Sequence, residues 1–433
     1  MKRRTFLDII ASAALALPLT GCRTIALKAL LATHPKARDI FSPPTPDRHI
    51  TGTGVIEHLG DGVNRVTVLY LHGENHYSLG YWHGKLLGPE VKATIEEIMH
   101  QAEKFLSKYI PREVDLVLSK KNRRELVARM LDKAAAMMEP FTPPEELEEM
   151  RGLADGLKDA GVAGVTLTAI KRAHAIPDLS ETSCSALVAR GGATRDRSVW
   201  QLRILDYGIG VGLEKRPLIT VYYPTRQNEH AFINIGWIGF VGAVTGMNEK
   251  GVCISELGLG KASAETLAGT PMPFLLKQAL RYGASAPEAA AIIRAAQRTN
   301  SYAYCLGDSA GEAVGMITSS TDCSLFRINQ VSEVRFGKMT LPQFADVIYA
   351  GHHGERQGKL VQKMHGMLEC ASIQTMAREI AMESNLHTAI FDLSKRDLWI
   401  ANREGNRRAA DCTYVKFPFD AWRPSPHLVF PER

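Results

Sequence analysis

At 433 residues, with 45% hydrophobic and 23% charged residues, the chain has the composition of an ordinary globular protein, long enough for two domains or one large layered α/β structure. That balance excludes wholesale disorder and a multi-span membrane protein. The formal charge of +6 is spread along the chain rather than gathered in one tract, so no nucleic-acid partner is implied.

Residues 1–21 read as a targeting segment. Lys2, Arg3 and Arg4 supply a basic start, and Ile9 to Leu19 is an apolar run too short to span a bilayer. Arg3-Arg4-Thr5-Phe6-Leu7 resembles a twin-arginine export signal, although Asp8 stands where a basic residue is usual. Leu19-Thr20-Gly21-Cys22 resembles a bacterial lipobox, which makes Cys22 the expected lipidation site. The alternatives are an ordinary cleaved signal peptide or a buried apolar helix. On the lipoprotein reading the protein is exported, stays on the periplasmic side of the cell envelope and meets the membrane through its lipid anchor only. Residues 22–53, with Pro35, Pro43, Pro44 and Pro46, form a tether.

Folded structure is expected from near Gly54. Val63 to Leu71 reads as a strand, a helix is predicted from His72 through about Tyr109, and further helices near 113–139 and 144–160 make residues 54–183 a mostly helical block. His72, His76 and His83 invite a metal reading, but no carboxylate completes a helical ligand pattern and Gly73 and Gly80 interrupt the helix. Packing and hydrogen bonding are the expected roles, and neither metal nor cofactor is called for. After Cys184 the character changes. Strands are predicted at 185–190, 199–205, 218–223, 230–235, 242–247 and 252–256, with Met247 to Gly251 as the turn between the last two. Two helices follow at 272–283 and 286–297. A hairpin over 302–318 turns at Asp308-Ser-Ala-Gly311, and helices at 355–368 and 372–382 precede a strand pair at 387–392 and 398–401. Strand runs separated by helix pairs suggest two sheets with helices outside them.

Of seven cysteines, none has Cys-x-x-Cys spacing, which argues against zinc or a thioredoxin-type pair. Cys253 and Cys305 lie in apolar runs and are expected in the core. Cys184 is different in context, in Thr182-Ser183-Cys184-Ser185 at the head of a strand. Were the Ser183–Cys184 bond cut, one residue would carry a thiol and a free α-amine, a base beside its own nucleophile. Small Ser183 leaves its carbonyl open to attack by that thiol, so the cut is self-inflicted on this reading. If strands 185–190 and 199–205 form a hairpin, Arg203 and Asp206 come near Cys184, where a cation favours thiolate and a carboxylate orients the amine. Spacing alone leaves two alternatives open: a solvated Arg/Asp pair at a hairpin end, and a cysteine that is simply core.

Cys184-Ser-Ala-Leu-Val, Arg203-Ile-Leu-Asp206-Tyr207 and Gly246-Met-Asn248-Glu-Lys-Gly251-Val together resemble the cysteine N-terminal nucleophile (Ntn) hydrolases. The nearest subgroup is the isopenicillin N acyltransferase-like autoproteolytic hydrolases, related to choloylglycine hydrolase, acid ceramidase and N-acylethanolamine acid amidase. His76 to Leu87 and Met150-Arg-Gly-Leu-Ala-Asp-Gly156 resemble segments of that subgroup's propeptide, so the similarity runs from about 63 to 403. The resemblance implies an α+β fold, an αββα sandwich of two antiparallel sheets between helical layers. It implies a propeptide or α-chain over 54–183 and a catalytic β-chain over 184–433. It also implies hydrolysis of a non-peptide linear amide, an N-acyl small molecule, or transfer of its acyl group to an amine; a lipid-anchored binding protein on a degenerate scaffold is the non-enzyme alternative. By match, Cys184 is nucleophile and base, Arg203 the thiolate-supporting cation and Asp206 the orienter. Glu256 falls where ceramidase-like relatives carry a glutamate, and would have to be protonated to donate into an oxyanion site. The second oxyanion asparagine of those relatives is replaced by Gly351-His352-His353, which makes His352 or His353 a candidate donor. Pocket walls are expected from loops 207–217 and 235–242, with Trp237, Ile238, Phe240 and Val241 either receiving an acyl group or simply filling the core.

Overall fold

Strand β1 (Thr53–Leu59) and strand β2 (Val66–His72) open the folded region of the computed structural model, which describes residues 49–61, 65–106, 110, 119–180, 183–207, 212–259 and 264–424. The segment expected to be an export signal, Cys22 and the expected tether as far as residue 48 lie outside the described residues. Helices α1 (His76–Leu86), α2 (Gly88–Leu106), α3 (Lys120–Met138), α4 (Pro144–Asp159) and α5 (Leu167–Ala175) follow. The single helix expected from His72 to Tyr109 is two. Asn75 caps α1 by accepting from the Ser78 N–H, and the helix closes at Leu87, because Pro89 has no N–H to continue the ladder and instead starts α2.

Helices α1 and α4 meet backbone to backbone through reciprocal glycines. A Cβ at Gly80 would stand 1.9 Å from the Glu149 carbonyl oxygen, and one at Gly152 would stand 1.9 Å from that of Tyr77; Gly84 and Gly156 are equally crowded, at 2.3 and 2.1 Å. The two glycine pairs are four residues apart on each helix, so each helix presents a flat strip. The hydroxyls of Tyr77 and Tyr81 donate to Asp155 and Asp159, both at 2.9 Å, along the edge of this contact.

The second half contains β3 (Ser183–Ala189), β4 (Trp200–Asp206), β5 (Pro217–Tyr222), β6 (Phe232–Trp237), β7 (Thr245–Asn248) and β8 (Cys253–Gly258). Helices α6 (Met272–Tyr282) and α7 (Ala286–Ala295) come next, then β9 (Tyr302–Gly307), β10 (Ala313–Thr318) and β11 (Cys323–Arg327). The small ribbon β12 (Glu333–Phe336) and β13 (Met339–Pro342) leads to β14 (Val347–Gly351), and α8 (Gly354–Met364) and α9 (Cys370–Ile380) precede β15 (Asn385–Asp392), β16 (Asp397–Asn402) and β17 (Val415–Phe417). One sheet has the order β1-β2-β5-β6-β7-β8-β9-β10-β11, the other β14-β3-β4-β15-β16-β17. Strands β3 and β4 face β8 and β9 across the interior, α6 and α7 cover the first sheet, and α8 and α9 cover the second. This is an αββα sandwich.

One pairing departs from the antiparallel expectation: β2 runs parallel to β5, with Thr67 opposite Leu218 and Leu71 opposite Tyr222. The helices α1 to α5 and the β3–β4 hairpin of the other sheet form the long crossover that a parallel pair requires. The N-terminal block is therefore built into the larger sheet through two strands as well as packed against it.

Candidate active site

Strands β3 and β4 pair antiparallel with Ser183 opposite Asp206, Cys184 opposite Leu205 and Ala186 opposite Arg203. Side chains alternate along each strand, so Gln201, Arg203 and Leu205 share the face of Cys184, while Ser183 and Asp206 share the other. Gln201 identifies the first face as the inter-sheet layer, because its Nε2 donates to Ser255 Oγ (2.9 Å) and to the Cys305 carbonyl (3.1 Å) in the opposite sheet. Cys184 is wholly buried there.

Arg203 spans the two sheets. Its Nη2 donates to Glu256 Oε2 at 3.1 Å and its Nη1 to the Ile204 carbonyl at 2.6 Å, and both charged side chains are buried. The solvated Arg/Asp pair is thereby excluded. Glu256 Oε2 is thus an acceptor from the Arg203 guanidinium. Asp206, on the other face, accepts the Met382 N–H at 3.2 Å just beyond α9. Burial pushes its carboxyl up to about 7, against the opposing pull of that N–H, of Arg203 and of Asn385.

The two candidate donor histidines part company. The His352 N–H donates to the Cys184 carbonyl at 3.1 Å, and its Nε2–H donates to the Gly258 carbonyl at 3.2 Å, so His352 ties the start of β3 to the end of β8. Its neighbour His353 is exposed at the start of α8.

Sequence reasoning gave His387 no role of its own. It lies in the cross-strand row Cys184, Leu205, His387, Asn402, fully buried, and shares a hydrogen bond of 3.0 Å with Thr245 Oγ1. Burial and Arg203 push its imidazole down to about 3, so it is neutral. The only signal for it was its alternation within β15. Asn385 fastens the same end of the sheet, donating to the carbonyls of Leu205 and His387, each at 3.1 Å.

A cavity of about 270 Å³ opens beside this cluster. Leu205, Tyr207 and Glu256 form the wall next to the cysteine strand, and Trp237, Phe240 and Val244 form another. Ile98, Ala102, Leu131 and Ala173 close it from the N-terminal helices. Of the four residues expected at 235–242, Trp237 and Phe240 line the cavity, whereas Ile238 and Val241 are buried behind it. Participation of the helical block was beyond sequence reasoning, because periodicity marks a buried helical face without saying what it is buried against. Among the described residues no group of His, Cys, Asp and Glu is arranged to hold a metal ion. His76 instead lies 3.0 Å from Glu229, and His83 accepts the Gly239 N–H at 3.0 Å. No disulfide joins the six described cysteines, and Cys253 and Cys305 lie in the core as expected. No described helix is long and apolar enough to cross a membrane.

Fold and site together define a layered α+β protein with a buried thiol at the head of an inner strand, next to an intersheet Arg–Glu pair and an apolar cavity. The chain is similar to protein dcd1B of Dictyostelium discoideum, 28% identical over 383 residues, which cover 85% of this chain and 73% of that protein. Protein dcd1A of the same organism is 24% identical over 369 residues, 81% of this chain and 82% of its own. Among solved structures, a Caenorhabditis elegans N-acylethanolamine-hydrolyzing acid amidase ortholog aligns at 9% identity over 49% of this chain and 93% of its own, with a TM-score of 0.37. The penicillin V acylase of Agrobacterium tumefaciens aligns at 14% identity over 51% of this chain and 83% of its own, with a TM-score of 0.38. No family model matches the chain.

Proposed function

We propose that this protein is a cysteine Ntn hydrolase that cleaves itself between Ser183 and Cys184 and then hydrolyses the amide of an N-acyl small molecule. The observation that carries the reading is the register of β3 on β4. It sets Ser183 opposite Asp206 and Cys184 one residue along, with buried Arg203 on the thiol's face and an apolar cavity beside it.

In self-cleavage the Cys184 thiol attacks the Ser183 carbonyl, the acyl group passes from nitrogen to sulfur, and water hydrolyses the resulting thioester, which restores the thiol. The Ser183 carboxyl and the Cys184 α-amine are released. Asp206 supports this reading. Burial raises its pKa in the uncut chain, and the ammonium created across from it on cutting is a counter-charge for its ionised form. In turnover the α-amine takes the thiol proton, sulfur attacks the substrate carbonyl, and the amine product leaves with that proton. A water molecule then opens the thioester. Arg203, held by Glu256, favours the thiolate, and the cavity receives the apolar acyl group. His352 holds the Cys184 carbonyl in place, and exposed His353 has no part in these steps.

Export as a lipoprotein through Cys22 belongs to the same proposal and rests on the sequence of residues 1–22. The test is intact-mass and N-terminal analysis of purified full-length protein. The expected products are an acylated chain ending at Ser183 and a chain beginning at Cys184, with both cleavage and N-acyl amide hydrolysis lost in Cys184→Ala. Hydrolysis that persists in Cys184→Ala would falsify the nucleophile, and a chain never cut, even after mild acid, would remove the self-cleavage.

A further inference from the structure

Two histidines of the N-terminal helices have no place in this chemistry, yet both grip one turn of the cavity wall. His83, on α1, accepts the Gly239 N–H at Nε2 (3.0 Å), and His174, on α5, accepts the Val241 N–H at Nε2 (2.9 Å). His174 Nδ1–H donates to the Ile170 carbonyl at 2.8 Å, which sets its tautomer. An Nε2 that accepts belongs to a neutral ring, and burial holds both imidazoles well below their ordinary range.

The turn itself, residues 237–242, needs such support. Gly239 has φ +85°, and a Cβ there would stand 3.0 Å from Val91 Cγ1. Lys277 Nζ donates to the Val241 carbonyl and Asn234 Nδ2 to that of Gly242, both at 2.8 Å, so the turn's backbone is held from several sides. The ring of His174 lies flat between Phe240 and Phe274, with centroids at 4.9 and 5.7 Å. Trp237 and Phe240, at the two sides of Gly239, are the aromatic wall of the cavity.

We propose that His83 and His174 are positioning residues that clamp the Trp237–Phe240 wall from the N-terminal helices and so set which apolar acyl groups the cavity accepts. This rests on the cavity being the acyl site of the proposed hydrolase. The clamp joins residues on opposite sides of the 183/184 cut, so selectivity of the catalytic chain depends on the other chain staying in place.

The experiment compares hydrolysis of acetyl, octanoyl and palmitoyl aminomethylcoumarin by the full-length protein, by His83→Leu and His174→Leu, which remove the acceptor, and by the two His→Gln variants, which keep an acceptor oxygen but lose the ring. Iodoacetamide labelling at Cys184 is measured in parallel. The ratio of kcat/KM for the preferred long acyl group to that for acetyl is expected to fall about tenfold in the leucine variants, the scale on which a pocket loses a few apolar contacts. It should fall about threefold in the glutamine variants, mainly through KM, with labelling retained. Should the leucine variants not fold, the glutamine pair decides alone. An unchanged ratio in folded variants overturns the proposal. So does an equal loss for all three substrates together with loss of labelling, since that is a structural role only. A wild-type protein that is cut and labelled yet hydrolyses none of the three overturns the acyl-site reading and this clamp with it.

Discussion

The buried Arg203–Glu256 pair makes a quantitative prediction about stability, best measured in the uncut Cys184→Ala protein. Both side chains are removed from water and joined at 3.1 Å across the two sheets. Glu256→Leu leaves the guanidinium buried with no counter-charge, and Arg203→Met leaves the carboxylate so. Breaking one side of a buried pair costs about 3–5 kcal/mol. The double variant removes both charges and fills the space with apolar groups, which is close to neutral for the pair itself. It still deprives the Ile204 carbonyl of its bond from Nη1, a loss of about 1–3 kcal/mol. The double variant is therefore expected well short of the sum of the singles, with a coupling of about 3 kcal/mol or more, at or above the upper end for residues in contact. Urea unfolding followed by tryptophan fluorescence measures all three. Singles costing below about 1 kcal/mol, or a double equal to their sum, would refute the argument that this pair is a desolvated, mutually dependent unit.

Gly80→Ala and Gly152→Ala each drive a methyl group to within 1.9 Å of a carbonyl on the facing helix and should cost more than the about 1–3 kcal/mol of ordinary overpacking, read as a lowered urea midpoint or loss of folded protein. Asp206 in the uncut chain has a folded pKa raised from 3.8 to about 7, so its contribution to stability is complete below 3.8 and is lost as pH rises through about 7. Relative to Asp206→Asn, the Cys184→Ala protein should lose up to about 4 kcal/mol between those limits, and a pH-independent difference would contradict the burial argument. His387, lowered from 6.5 to about 3, works in the opposite sense. Its contribution is full above 6.5 and is lost as pH falls towards 3, so His387→Gln should flatten the acid limb of the unfolding profile. Burial raises the Cys305 thiol to about 12, so iodoacetamide should spare it in the native protein and modify it only in urea.

Much of the second half was legible because its strands are short, apolar and bounded by turn residues. Met247 to Gly251 closes a turn in which Gly251 has φ +80° and Asn248 Oδ1 accepts from Lys250 and Val252, as local chemistry predicts. The strand β1 and the ribbon β12–β13 were missed: β1 has no fully buried residue to mark a face, and β12 and β13 are only four residues each, too short for alternation to stand out. The predicted helix past Leu87 failed for a local reason, the Gly88-Pro89 pair, that outweighed a continuing apolar period.

The sequence by itself determined the strand that follows Cys184, its hairpin with Arg203 and Asp206, and the layered class of the fold, because each depends on neighbours within a few tens of residues. Only the tertiary structure decided which way those residues face and what they meet. The parallel pairing of β2 with β5, the partnership of Arg203 with Glu256, the separation of His352 from His353, and the grip of His83 and His174 on the 237–242 turn are contacts between distant segments. Such contacts are set by sheet order and helix packing across the whole chain, and spacing along it carries no record of them.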